Sequence, residues 1–146
     1  MSSLVVRVAL TRLLLLGLTG CPTVDLGQEP PPPGLCRPDI AYYQDVVWVE
    51  IIDSPDPELS CVNASGCHQR ANGRSALRLI TGPALTPSEH TQNYEVVTRF
   101  LNCGTPGASS LLTKPISGVD PHGGGDLFGP ASATEDLFCG WFQDGC

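Results

Sequence analysis

Ser60-Cys61-Val62-Asn63-Ala64-Ser65-Gly66-Cys67-His68 is the stretch on which the fold turns. It holds two cysteines and places a histidine directly after the second. Two uses of those side chains compete. Cysteines in an exported chain pair as disulfides, and Cys61 can close on Cys67 or on another cysteine. A thiol followed at once by an imidazole is also an attachment point beside a metal ligand. The cysteine then anchors a group covalently, and the histidine points from the same turn toward the metal. The spacing is Cys-x5-Cys-His, with Ala64 where a Cys-x-x-Cys-His run needs a cysteine.

The compartment follows from the first residues. Arg7 and Arg12 flank the start of an apolar run that continues from Leu13 to Leu18, and small Thr19 and Gly20 precede Cys21. This is the layout of a secretory signal. The cysteine at the cleavage point makes it look like a bacterial lipoprotein signal, in which Cys21 is lipidated and begins the mature chain. The run is shorter than the roughly 20 apolar residues that a membrane-spanning helix needs. The expected organisation is a signal peptide over 1–20, a lipidated cysteine with a proline-rich linker over 21–35, and one small domain over 36–146. Pro30 to Pro33 and Gly34 form a polyproline-type spacer without a core-forming pattern. Pro22, where an Asp would resemble an inner-membrane retention signal, points to the outer membrane. The expected location is the oxidising cell envelope, with acyl chains as the membrane contact.

Cleavage removes Arg7 and Arg12, so 8 basic residues become 6 against 15 acidic ones, and the formal net charge goes from −7 to −9. Such a surface argues against nucleic acid or anionic lipid as a partner. Aromatic residues are few, at 6%, while 16 Gly and 14 Pro give long turns and a modest core. Small domains of this kind gain from covalent staples. With Cys21 taken by lipid, Cys36, Cys61, Cys67, Cys103, Cys139 and Cys146 are the disulfide candidates. Their even number allows 15 pairings, which sequence leaves open. Cys139 and Cys146 are placed to tie down the end of the chain, either to each other or to Cys36 and Cys103.

The periodicity predicts a mostly α fold with long loops. A first helix is expected from about Pro38 to Ile52, with Pro38 in its first turn, Asp39 at its positive end, and Ile40, Tyr43, Val47 and Ile51 on one face. The β-branched content of that stretch also permits a strand. Pro55 and Pro57 end it. Asn63-Ala64-Ser65 matches a glycosylation sequon, which a bacterial lipoprotein would not use. Residues 75–80 are a short apolar piece of either type. The second helix has the clearest signals: Thr86 as cap, Pro87 in the first turn, and Glu89 at capping-box spacing. Tyr94, Val97 and Leu101 line one face, and Gly104 and Pro106 stop it. The last helix is expected from about Thr134 to Phe142, with Thr134 as cap, Glu135 and Asp136 in the acidic first turn, and Trp141 and Phe142 as core anchors.

Cys67-His68 is also half of a c-type haem signature, in which thiols attack the haem vinyl groups and the next imidazole binds the iron. Around it the order is Tyr43 with Val46-Val47, then Cys61…Cys67-His68. Asn93-Tyr94-xx-Val97, Ser110-Leu111-Leu112-x-Lys114-Pro115, His122-Gly123-Gly124-Gly125 and Trp141 follow. In this order, across roughly Cys36 to Gly145, the chain resembles cytochrome c-like domains of exported planctomycete and myxobacterial proteins. The resemblance implies a small all-α cytochrome c-like fold, with haem c as cofactor, His68 as proximal ligand and His122 as the second. Without a cysteine at position 64, haem would be held by a single thioether from Cys67, or by a lengthened loop in which Cys61 also reaches a vinyl group. The only methionine is Met1, which leaves with the signal. Any six-coordinate haem is therefore bis-histidine or uses a non-standard ligand, with His122 and His90 as candidates. The glycines beside His122 would let backbone approach the haem face, whereas His90, early in the second helix, reads as solvated.

Other chemistry finds little footing. Cys61, Cys67, His68 and His122 are zinc-type ligands, but their spacing fits no common structural site. Ser109, Ser110 and Ser117 lie in no nucleophile elbow, the glycine run lacks a P-loop lysine, and the carboxylates are scattered. An enzyme is not expected. Two functions remain: an envelope electron carrier with a redox partner, or a haem-free, disulfide-stabilised domain that binds another envelope protein or serves structurally.

Overall fold

Asp39 starts the first helix. Its side chain accepts a hydrogen bond from the Tyr42 amide at 2.6 Å, the work of an N-cap. Pro38, expected inside the first turn, therefore lies ahead of the helix. The structure, a computed structural model, describes residues 36–62, 67–71, 73 and 75–146. The signal segment, Cys21, the proline spacer and the Asn63-Ala64-Ser65 sequon lie outside the described residues.

Helix α1 (Ile40–Tyr42) runs without a break into a π-helical segment, Tyr43–Ile52. This resolves the choice between helix and strand in favour of helix. The segment closes with the Asp53 amide bonded to the Trp48 carbonyl at 2.7 Å, the i→i+5 pattern of a π-helix. The wider turn changes which side chains reach the core. Tyr43, Val47, Trp48, Ile51 and Ile52 are buried, whereas Ile40, expected on the buried face, is 39% exposed.

Helix α2 (Pro87–Val97) has the expected capping box. Thr86 Oγ1 accepts from the Glu89 amide at 3.3 Å, and the Thr86 amide donates to Glu89 Oε2 at 2.8 Å. It ends sooner than Gly104, tightening into a 3-10 turn over Thr98–Phe100. A second 3-10 turn, Pro106–Ala108, leads into the short α3 (Ser110–Thr113). Helix α4 spans Ala133–Cys139, and its cap is Ser132, which accepts from the Glu135 amide at 3.3 Å. Thr134 lies within the helix rather than at its cap. The helix stops at Gly140, so Trp141 and Phe142 are buried from the turn that follows. Among the described residues there is no strand, and two isolated parallel bridges, Gln69 with Leu79 and Ile116 with Phe128, tie the loops together.

The core gathers where α4 packs on the π segment. Tyr43 is its centre, with ring centroids 5.5 Å from Tyr94, 5.6 Å from Trp141 and 6.2 Å from Trp48. Tyr43 Oη is buried without a hydrogen-bond partner, whereas the polar tips of the aromatic residues around it reach backbone carbonyls. Trp141 Nε1 donates to the Asp39 carbonyl at 2.7 Å, Tyr94 Oη to Pro38 at 2.5 Å, and Tyr42 Oη to Leu137 at 3.0 Å. The entry segment 36–39 is thus fastened to α2 and to the C-terminal turn. Two disulfides complete the frame, Cys36–Cys103 and Cys139–Cys146. The last two cysteines pair with each other, and Cys61 and Cys67 belong to neither bridge.

Candidate functional site

His68 owes its place to a chain of hydrogen bonds that begins on α2. Asn93 is fully buried, and its amide pairs with both backbone groups of Ile80, accepting from N–H at 2.8 Å and donating to C=O at 2.9 Å. That pins the extended stretch 77–80. Leu79 in turn bonds the loop carrying the histidine. Its amide donates to the His68 carbonyl at 2.8 Å, and its carbonyl accepts from the Arg70 amide at 2.7 Å. Gly73 closes the loop from behind, with its amide on the Gln69 carbonyl at 2.6 Å. A Cβ there would lie 2.5 Å from the Gln69 carbonyl oxygen and 2.8 Å from that of Cys67, so only glycine fits without moving backbone.

The imidazole itself is held on one edge. His68 Nδ1 lies 3.0 Å from the Leu77 carbonyl and 2.6 Å from Ser75 Oγ. The Ser75 hydroxyl donates to Leu77 at 2.9 Å, so its oxygen accepts. Both partners are acceptors, which places the proton on Nδ1 and leaves a lone pair on Nε2. Burial holds the His68 pKa below its usual value, the Leu77 hydrogen bond opposes this, and the nearby His122 charge adds to the depression.

His122 repeats the arrangement from a different loop. Its Nδ1 pairs with the Gly125 carbonyl at 2.7 Å, and the Gly125 amide returns to the His122 carbonyl at 3.0 Å. Gly125 has φ +83°, a left-handed position that this turn requires. Gly124 leaves space for the ring, since a Cβ would sit 3.3 Å from His122 Cε1. These glycines fix the imidazole within its own turn.

The two rings come together. Their centroids are 6.0 Å apart and their planes differ by 6°. The pair joins residues far apart in sequence, and each has its Nδ1 committed to a backbone carbonyl. Cys67, adjacent to His68, is half-buried, whereas Cys61 directs its thiol to the Ile51 carbonyl at 3.7 Å, and burial pushes that thiol up to about 12. The low proton acidity makes Cys61 a poor nucleophile.

His90 stands elsewhere. It packs edge-on against Trp48 at 5.6 Å, with Nδ1 buried and unpartnered, so it is neither solvated nor paired in this ring contact. Among the described residues no group of three or more His, Cys, Asp or Glu gathers to hold a metal, which leaves the four-ligand zinc arrangement without support. No helix among them is long and apolar enough to cross a membrane.

The positioning residues Ser75, Gly73 and Asn93 carried little signal. An asparagine beside Tyr94 on the buried face of α2 was visible, but its Ile80 partner was not. No family model matches the chain, and neither a curated protein nor a solved structure matches it.

Proposed function

We propose that this domain carries one c-type haem and transfers electrons in the cell envelope, with His68 and His122 as the residues that would hold the iron. The carrying observation is the His68–His122 ring pair, each imidazole donating Nδ1–H to a backbone carbonyl. Metal-bound histidines characteristically make this outer hydrogen bond, which fixes the tautomer and raises ligand basicity. The two rings are stacked, and the matched Nδ1 bonds fix each imidazole in its loop with Nε2 left to bind.

When bound, haem supplies a one-electron iron couple; the chain's residues bind and orient it. Cys67 would supply the thioether, since it adjoins His68 while the Cys61 thiol is held protonated on Ile51. The depressed His68 pKa keeps its Nε2 lone pair available at neutral pH. Two imidazole ligands give a lower potential than a histidine–methionine pair. Lipidation at Cys21 would anchor this cytochrome c-like lipoprotein to the outer membrane, where it would meet a redox partner. No enzymatic step is assigned to it.

One observation favours a second function. The aromatic core around Tyr43 closes with side chains alone, and two disulfides brace it. That suits a haem-free domain that binds an envelope protein or serves structurally.

Absorption and intact mass decide between them, on protein matured in a host with haem-attachment machinery. A Soret band that stays with the denatured chain, with one haem of added mass, is expected. His68→Ala should abolish the six-coordinate spectrum, and His122→Ala should convert it to a five-coordinate one. A colourless protein without added mass would leave the haem-free domain.

A further inference from the structure

The mature chain has few cations, yet they converge. Of six basic residues after the signal, Arg70, Arg78 and Arg99 line one groove of about 450 Å³. The register of two elements explains this. Along the extended stretch, Leu77 and Leu79 turn into the core, so Ala76, Arg78 and Ile80 face the opposite way. On α2 the buried face is Asn93, Tyr94 and Val97, and the flank with Gln92 and Val96, continued by Arg99 in the following 3-10 turn, forms the second wall. The Asn93–Ile80 pairing clamps the two walls together.

The charges in the groove are not internally neutralised. Its one carboxylate, Glu95, forms its ion pair with Arg37, 3.0 Å away. Arg70, Arg78 and Arg99 line the groove, and Glu95 pairs with Arg37 rather than with them. Arg78 donates one N–H to the Ser75 carbonyl at 3.2 Å. Arg99 Nε is buried with no hydrogen-bond partner. A buried donor left unmade costs free energy, which an anionic acceptor at Arg99 Nε would recover, with the exposed Arg70 and Arg78 adding favourable charge from the same groove.

We propose that this groove binds a small multivalent oxyanion, a phosphate ester or a polycarboxylate, held by Arg70, Arg78 and Arg99. Guanidinium forks match both oxyanion geometries, and the volume suits a small organic molecule. Ile80 and Val96 offer an apolar wall for the non-ionic part of such a ligand. The site does not depend on haem.

The test is calorimetric titration of the purified full-length mature protein with pyrophosphate and, separately, citrate at low salt. One saturable site is expected for at least one probe, and the tighter probe assigns phosphate or carboxylate chemistry. Arg70→Gln and Arg99→Gln should each weaken it about tenfold or more, the worth of a charge-assisted hydrogen bond. Lys114→Gln, a loss of charge outside the groove, should leave it unchanged. If Arg99→Gln fails to fold, the exposed Arg70→Gln carries the comparison. Absence of binding by both probes, or binding that ignores the arginine changes, or an equal loss in Lys114→Gln, would overturn the proposal.

Discussion

His68 is neutral because burial disfavours its charged form, with His122 adding repulsion, while the bond to Leu77 works the other way. Its folded pKa therefore lies below the unfolded value of 6.5. Between those two values the unfolded chain binds more protons than the native one. Stability is full above the unfolded value and falls as pH drops through it toward the folded pKa. Urea midpoints for the wild type should decline from neutral pH to mildly acidic pH, and His68→Gln should flatten that decline. A parallel slope in both proteins would assign the effect to other groups. At this scale the sequence was informative about identity and poor about support. Cys67-His68 and His122 were visible as adjacency and as a histidine before glycines. The Ser75 and Leu77 acceptors depend on a turn closed by Gly73 and Leu79, which local pattern does not encode.

Among the elements, α2 organises its surroundings through one side chain. Asn93→Ala would strand both buried backbone groups of Ile80 at once, costing about 2–3 kcal/mol. Chemical denaturation measures the loss, and amide exchange at Ile80 and Leu79 should rise more than elsewhere. A loss below ~0.5 kcal/mol, the scale of a surface substitution, would mean the pairing is marginal. Helix α2 was legible because its start rests on neighbours in sequence, Thr86 with Glu89, and Pro87. Helix α4 was legible in existence but two residues late in its cap, since Ser132 and Thr134 offer the same hydroxyl chemistry. The π register of Tyr43–Ile52 was not legible. A 3.6-residue period placed Ile40 on the buried face and left out Trp48, and core packing around Tyr43 accompanies the wider turn.

The whole molecule is framed by its two bridges. Cys36–Cys103 closes a span of 67 residues and Cys139–Cys146 one of 7. Loop-closure entropy gives roughly 4 kcal/mol for the first and 2 for the second. Thermal melts should therefore show Cys36→Ala/Cys103→Ala falling well below Cys139→Ala/Cys146→Ala, and equal losses would point to strain or residual structure as the dominant contribution. Six of the seven cysteines were read as disulfide candidates, but which of 15 pairings forms depends on segment 36–39 docking on α2, a long-range event. That docking also sets how the domain transmits a pull. Tension applied through the N-terminal linker crosses the Cys36–Cys103 bond and bypasses residues 37–102, so the His68 loop is unloaded. Tension then runs from Cys103 to Cys139 through His122, before the second bridge short-circuits the end. Stretched in optical tweezers, the oxidised domain should lengthen by roughly 120 Å, and reduction should release about 235 Å more. A domain pulled this way parts the His68–His122 pair from the His122 side and keeps the His68 side folded under load.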